Sequence, residues 1–265
     1  MTHRAPRDFP AEVVENLRLD GKTTALVLRC PGVASTAEPG QFVMLRAGTG
    51  NDPFLGRPLA VADLSGDRFT VLCRTVGRGT ELLSSTPAGA ELTVRGPVGT
   101  GFWSARRGVP LPKTVHLVGG GVGMAPLLFA LRRLDGTAVG RVILGVAGQG
   151  WEGLTRWAGE RIPSLDLYSQ DGTLGRRGLA LDGLPEGLPD EEEIWACGPE
   201  GMLRALTKRY PGDLGRIRVA LESRMACGMG GCLGCVLPTT SGNRRVCSDG
   251  PVFTAEEVLW DDRSA

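Results

Sequence analysis

Four of the chain's seven cysteines, Cys227, Cys232, Cys235 and Cys247, crowd into one C-terminal stretch, separated by four, two and eleven residues. The first three form C-x4-C-x2-C, the plant-type [2Fe-2S] spacing, in which the fourth ligand lies further along the chain. A C-x2-C pair can face one metal, and the longer interval lets the loop wrap around a two-iron cluster. Gly228, Gly230, Gly231 and Gly234 are interspersed and allow backbone N–H groups to turn toward the sulfurs. The competing chemistry is a four-cysteine zinc site, which more often uses two short pairs. The spacing favours the iron–sulfur cluster and therefore one-electron chemistry, without Cys30, Cys73 or Cys197.

Three other groups of residues suit phosphates and flat rings. Arg57-Pro58-Leu59-Ala60 is followed by Leu72-Cys73-Arg74 and then by Gly77-Arg78-Gly79-Thr80. A guanidinium and a glycine-flanked Thr with exposed amides suit a pyrophosphate; each alone could equally be a surface Arg or an ordinary strand turn. Gly119, Gly120, Gly121 and Gly123 follow a predicted strand and precede Pro126 in a predicted helix, where a dinucleotide meets backbone amides and the helix dipole. Met124 stands where the third fingerprint glycine would be, so the bland alternative is a strand-to-helix turn without a ligand. Cys197-Gly198-Pro199 ends the last predicted parallel strand and leaves a crevice for a ring, although a lone Cys197 is more often a buried structural thiol.

Acid–base catalysis has little support. His3 lies near the N-terminus and His116 falls inside a strand, where a packed or hydrogen-bonded imidazole is expected. No G-x-S-x-G or H-E-x-x-H is present, so the chemistry falls to cofactors.

The elements that must hold these residues divide into three parts. Short apolar runs at Thr24–Arg29, Gln41–Arg46, Arg57–Ala62, Arg68–Arg74 and Glu91–Arg95, broken by Gly, Pro and Asp, predict an antiparallel barrel or sandwich. From Thr114 onward, strands predicted at 114–118, 141–146, 164–168 and 193–197 alternate with helical segments, including 125–134 and one after Pro199. That is the pattern of a parallel sheet covered by helices. Beyond Arg216 a short strand, a Cys/Gly-rich loop and an apolar tail are too small for a core of their own. The expected division is 1–108, 109–215 and 216–265.

With 265 residues, 42% hydrophobic, the chain can bury a sizeable core without disulfides, and its formal net charge of +1 gives no field to attract nucleic acid or an anionic membrane. Forty glycines, about twice the average frequency, fit close backbone approach to ligands. Met1–Asn16 lacks an apolar signal core. The longest apolar stretch, Leu117–Leu131, contains four glycines and a proline and is shorter than a membrane helix. A cytoplasmic location is expected.

Taken together, these motifs resemble the ferredoxin-reductase superfamily, and the C-terminal segment narrows the likeness to its dihydroorotate dehydrogenase B electron-transfer subunits. The narrowing rests on Glu222-Ser223-Arg224-Met225-Ala226-Cys227-Gly228-Met229-Gly230-Gly231-Cys232-Leu233-Gly234-Cys235 and on Val246-Cys247-Ser248-Asp249-Gly250-Pro251-Val252-Phe253. The resemblance implies an antiparallel β-barrel FAD domain, an α/β parallel-sheet nucleotide domain and a C-terminal [2Fe-2S] module. Arg57 to Ala60, Leu72 to Arg74, Gly79 and Thr80 would contact FAD. Gly119 to Pro126 and Cys197 to Pro199 would border NAD(H), and the four clustered cysteines would bind iron. Ala60 stands where similar proteins usually carry a Ser near flavin N5, and Leu59 where many carry a flavin-stacking Tyr. The implied function is relay of electrons between NAD(H) and an FMN-containing catalytic subunit, in a heterotetramer of two of each and in pyrimidine biosynthesis. A reductase subunit of another complex, such as a ferredoxin:NADP oxidoreductase or a hydrogenase, is the alternative; a four-cysteine redox sensor is a more distant one.

Overall fold

The computed structural model describes residues 6–48, 52–106, 108–134 and 139–260; His3 lies outside them. Six antiparallel strands, β1 (Arg7–Arg18), β2 (Thr23–Arg29), β3 (Phe42–Arg46), β4 (Arg57–Ser65), β5 (Arg68–Arg74) and β6 (Glu91–Val98), close a barrel in the order β1-β2-β5-β4-β3-β6. A single helical turn, α1 (Pro31–Ala34), follows β2, and α2 (Arg78–Ser85) joins β5 to β6. Alternation builds the wall: along β6, Leu92, Val94 and Val98 point inward while Glu91, Thr93 and Arg95 lie outside or partly covered. The predicted runs coincide with β2 to β6 within a few residues. The first strand was not among them, because five of its twelve residues are charged and only Ala11 and Val13 are fully buried.

The second layer is a seven-stranded sheet. Six parallel strands, β7 (Thr114–Gly120), β8 (Val139–Val146), β9 (Leu165–Ser169), β10 (Arg176–Arg177), β11 (Glu192–Cys197) and β12 (Ile217–Ala220), run in the order β10-β9-β8-β7-β11-β12. Three helices connect them: α3 (Met124–Leu131), α4 (Glu152–Gly159) and α5 (Glu200–Arg209). The near-continuous burial of β7 and β11 is what a sheet covered on both faces requires. A helix was expected between β9 and β11. Instead the chain forms the short β10 and a 3₁₀ turn at Ala180–Gly183, because Gly172, Gly175, Gly178, Gly183, Pro185, Gly187 and Pro189 punctuate the segment.

The C-terminal segment leaves this sheet and returns to it. After β12 the chain makes the cysteine loop and a hairpin of β13 (Val236–Thr239) and β14 (Gly242–Arg245), and then β15 (Val252–Thr254) pairs antiparallel to β12. The expected division near residue 216 thus falls inside one sheet. Barrel and sheet share a core in which Ala62 and Leu72 pack with Met124, Leu127 and Leu128 of α3. At the same junction Phe102 stacks on Trp195 with ring centroids 4.6 Å apart. Beside it, Glu193 Oε2 accepts from Arg106 Nη1 (2.6 Å), Trp195 Nε1 (2.9 Å) and Arg218 Nε (3.2 Å). These charges are buried, so the three-way pairing is what permits them to be there.

Candidate cofactor sites

The cysteine loop has no regular structure of its own between β12 and β13 and is set by fixed points on either side. Arg95 of β6 donates from Nη1 to the Cys227 carbonyl (2.9 Å), and Asp8 holds the same guanidinium through both carboxylate oxygens at 2.6 and 2.7 Å. The Arg95 hydrogen bond holds the Asp8 carboxyl below its ordinary value. On the other side Arg245 donates to Gly230 O (3.2 Å) and pairs with Asp249 (3.1 Å). Within this frame the thiols act on one another, Cys232 on Cys227, and Cys235 and Cys227 on Cys247.

Backbone amides aim at the sulfurs. Met229 N–H donates to Cys227 Sγ (3.4 Å), Gly230 to Cys247 (3.1 Å), Gly234 to Cys232 (3.4 Å) and Cys247 to Cys235 (3.4 Å). Burial raises the Cys227 thiol, but hydrogen bonds from the Met229, Cys232 and Gly231 backbone and from the Cys232 side chain outweigh it and bring the pKa to about 6. Cys247 is pushed up to about 12, first by burial and then by Cys235.

Among the described residues no three Cys, His, Asp or Glu side chains converge closely enough for a single metal ion. In a two-iron core each tetrahedral iron shares two sulfides and takes two thiolates, a demand that four thiols gathered in one loop can meet. Ser248 Oγ, buried beside Gly230 and without a protein partner, adds a hydroxyl in reach of the loop. Cys235 and Cys247 are buried while Cys232 is exposed, so the thiols step from interior to surface, where Met229 (49%) and Leu233 (62%) are also uncovered.

The flavin candidates meet at one end of the barrel. The β4–β5 ladder ends at Val61 and Val71, beyond which Arg57 to Ala60 pair with β3 and Leu72 to Arg74 pair with β2. The two strands therefore part and leave peptide groups of 72–74 without a β4 partner. Arg57 lies across the start of α2, its Cζ and Nη1 3.1 Å from where a Gly79 side chain would begin, and its Nε is buried with no protein partner. This polar cradle fits a pyrophosphate. Thr80 does not offer its hydroxyl: Oγ1 accepts from Val76 N and Gly77 N and donates to Gly77 O, capping α2. Cys73 points into the barrel core, where burial raises its thiol pKa, so only its peptide faces the mouth. Pro58, Leu59 and Ala60 are half-buried there.

The nucleotide candidates come together across the carboxyl ends of β7 and β11. A Cβ on Gly123 would sit 2.4 Å from Cys197 O, and one on Gly120 2.5 Å from Pro199 Cδ. Glycine here is a requirement of close approach. Gly121, at φ +55°, lies under the Trp151 ring, and Pro126 is in the first turn of α3. Cys197 is buried, its thiol raised well above the ordinary value by burial and then by Glu222. Glu222 itself is open to solvent yet ringed by protein, and that crowding raises its carboxyl.

Asp171, at the exit of β9, was not anticipated. It accepts from Thr173 N (2.9 Å), Thr173 Oγ1 (2.7 Å) and Gln149 N (3.2 Å), and the Thr173 hydroxyl leads the interactions that lower its pKa. An acidic residue just past a parallel strand is the signal that could have located it.

His116 is a hydrogen-bonded core residue, as expected. Nδ1 accepts from Arg141 N (3.0 Å), so Nε2 carries the hydrogen shared with Glu192 at 2.8 Å. It lines a cavity of about 430 Å³ with Arg141, Tyr168, Arg176 and Glu192. Neither glycine turn lines that cavity, and its charged groups pair with neighbours.

Residues 222–259 match the family model for the iron-sulfur cluster binding domain of dihydroorotate dehydrogenase B. The chain is 34% identical over 257 residues to the dihydroorotate dehydrogenase B (NAD(+)), electron transfer subunit of Shouchella clausii, covering 93% of this chain and 96% of that one. It is 35% identical over 256 residues to the homolog of that subunit in Aquifex aeolicus, covering 95% and 98%. Among solved structures it is similar to a chain of an NADH-dependent reduced ferredoxin-NADP oxidoreductase, with a TM-score of 0.78, 26% identity and 99% and 92% of the two chains covered. Phthalate dioxygenase reductase, at 15% identity and a TM-score of 0.65 over 89% of this chain and 87% of that one, shares the fold.

Proposed function

The chain belongs to the dihydroorotate dehydrogenase B electron-transfer subunits, and on that premise we propose that it carries electrons between NAD(H) and an FMN-containing catalytic subunit that oxidises dihydroorotate for pyrimidine synthesis. The observation that carries this reading is the cysteine loop, in which four thiols lie among amide donors inside the family segment. When bound, FAD handles electrons in pairs and the [2Fe-2S] cluster handles them singly, so together they link a hydride donor to a one-electron path.

The chain's own part is to hold and orient. Arg57 and the start of α2 would hold the pyrophosphate of FAD, and the free peptide edge of Leu72 to Arg74 would serve the flavin. Ala60 would offer a backbone N–H and no hydroxyl there, and Leu59 an aliphatic surface. The turns 119–126 and 197–199 hold NAD(H) at the carboxyl edge of the sheet. Cys227, Cys232, Cys235 and Cys247 ligate the cluster, with the uncovered Cys232 side directed to the partner. Asp171 favours NADH over NADPH, because its fixed carboxylate accepts from a ribose hydroxyl and repels a 2′-phosphate. The assembly is a heterotetramer of two of each subunit in the cytoplasm.

Copurification from the native host tests this reading. The complex should reduce NAD+ with dihydroorotate, and the isolated chain should pass electrons from NADH to ferricyanide with no dihydroorotate activity. Dihydroorotate oxidation by the chain free of FMN and of any second polypeptide would rule the division of labour out. The likeness to the ferredoxin-NADP oxidoreductase chain supports a second reading, service to another reductase complex. A copurified partner that responds to ferredoxin and not to dihydroorotate would select it.

A further inference from the structure

The side chain of Arg74 is held by groups of the protein itself. Its Cζ stands 3.6 Å from the centroid of the Trp151 ring, and Nη1 donates to Thr23 Oγ1 at 3.1 Å. Trp151 precedes α4, and the far edge of its indole presses on the dinucleotide turn: a Cβ at Gly121 would be 2.6 Å from Trp151 Cη2. The barrel also grips the start of α4 at a second point. Asp20 Oδ2 accepts from Leu154 N (3.3 Å), and Gly153 packs on the Leu19 carbonyl so closely that a Cβ there would lie 1.8 Å from the oxygen. An unbroken line of contacts thus runs from the end of the flavin strand β5, through an indole, to the glycine turn at the end of β7.

Resting on the function proposed above, we propose that Arg74 and Trp151 are positioning residues for the nucleotide. The guanidinium clamps the indole over Gly121, which holds the 119–123 turn in the shape that receives the pyrophosphate of NAD(H). The Arg74 peptide remains at the flavin mouth, so its side chain governs nucleotide affinity and leaves flavin retention to Arg57 and α2. A cation over an indole contributes enough to change affinity by about 2- to 30-fold.

The test uses the FAD-loaded full chain. The Kd for NAD+ is measured by calorimetry, KM and kcat for NADH with ferricyanide, and the FAD-to-protein ratio by absorbance. Arg74→Gln should raise Kd and KM together by about 2- to 30-fold in the FAD-loaded fraction, and Arg74→Lys should recover part of the loss. Trp151→Leu should show a similar rise, and the double variant should be no worse than either single one, because both act through one contact. If Arg74→Gln does not fold, Thr23→Val, which removes only the hydrogen bond that aims the guanidinium, should give a smaller rise in the same direction. Loss of FAD with Kd unchanged in the loaded fraction overturns the proposal, and so does a Kd that no variant moves. Wild-type chain that holds FAD and fails to bind NAD+ overturns both this proposal and the function on which it rests.

Discussion

On the proposed reading, the cysteine loop meets its cofactor with side chains from one short segment, and the dinucleotide crevice meets its own with backbone from strands far apart in sequence. The loop gathers four thiols between Cys227 and Cys247, supported by amides of the same segment. The crevice exists only because β7 and β11 lie side by side, which brings Gly120 against Pro199 and Gly123 against Cys197. A site of the first kind fails one ligand at a time. A site of the second kind fails when the packing beneath it fails.

The largest expected effect follows from the first half of that contrast. Serine at Cys227, Cys232, Cys235 or Cys247 should abolish the visible cluster spectrum while FAD absorbance persists; serine at Cys30 or Cys73, both buried in the barrel, should leave the cluster intact. Loss of NAD+ affinity along with the cluster would break the idea that the loop stands apart from the crevice.

Glu193→Gln probes the second half. It leaves Arg106 and Arg218 buried without their shared carboxylate, which costs about 3–5 kcal/mol, or a fall in Tm of roughly 6–20 °C for a chain of this size. Thermal unfolding checks the value, and a Tm within 2 °C of wild type, on the order of 1 kcal/mol or less, would contradict it.

Gly123→Ala sharpens the comparison further. Its Cβ would meet the Cys197 carbonyl at 2.4 Å, and since that neighbour is backbone the crevice must open. A loss of about 1–3 kcal/mol is expected, with a raised KM for NADH and an unaltered cluster spectrum.

That difference between regions also explains what could be read from the chain before its fold was known. The gathering of the four cysteines into one loop was legible because it is written in their spacing. The barrel strands β2 to β6 were legible because each alternates around a buried face, whereas the charged β1 hid its two inward residues. Trp151 gave no local signal, since its role depends on Gly121, which only strand order brings near, and Asp171 gave only that of an acidic residue just past a strand. Thr80 was expected to offer an exposed amide, yet its N–H donates to Gly77 O at 3.0 Å in the first turn of α2, a use that composition does not reveal.

The smallest predicted effect lies where the two regions join. Asp8 fixes Arg95, which holds the Cys227 carbonyl. Because its folded pKa is depressed below 3.8, the pair's contribution is complete above about pH 4 and is lost as pH falls through the folded value. Wild type and Asp8→Asn should therefore differ in stability by no more than about 1 kcal/mol near neutrality and converge below pH 4. A difference that grew in acid would have the wrong sign.

The return of the chain to its own sheet has a mechanical consequence. The excursion that carries the cysteines departs from β12 and ends in β15, two strands hydrogen-bonded to each other, and Thr100 N–H of the barrel donates to Gly250 O just before the second strand. Both feet of the loop thus stand on the same rigid floor. A carrier tied at one end can swing between donor and acceptor, with its rate set by the swing. On the proposed reading the electron covers a fixed gap by tunnelling, and the docked catalytic subunit must hold its acceptor within reach of the loop.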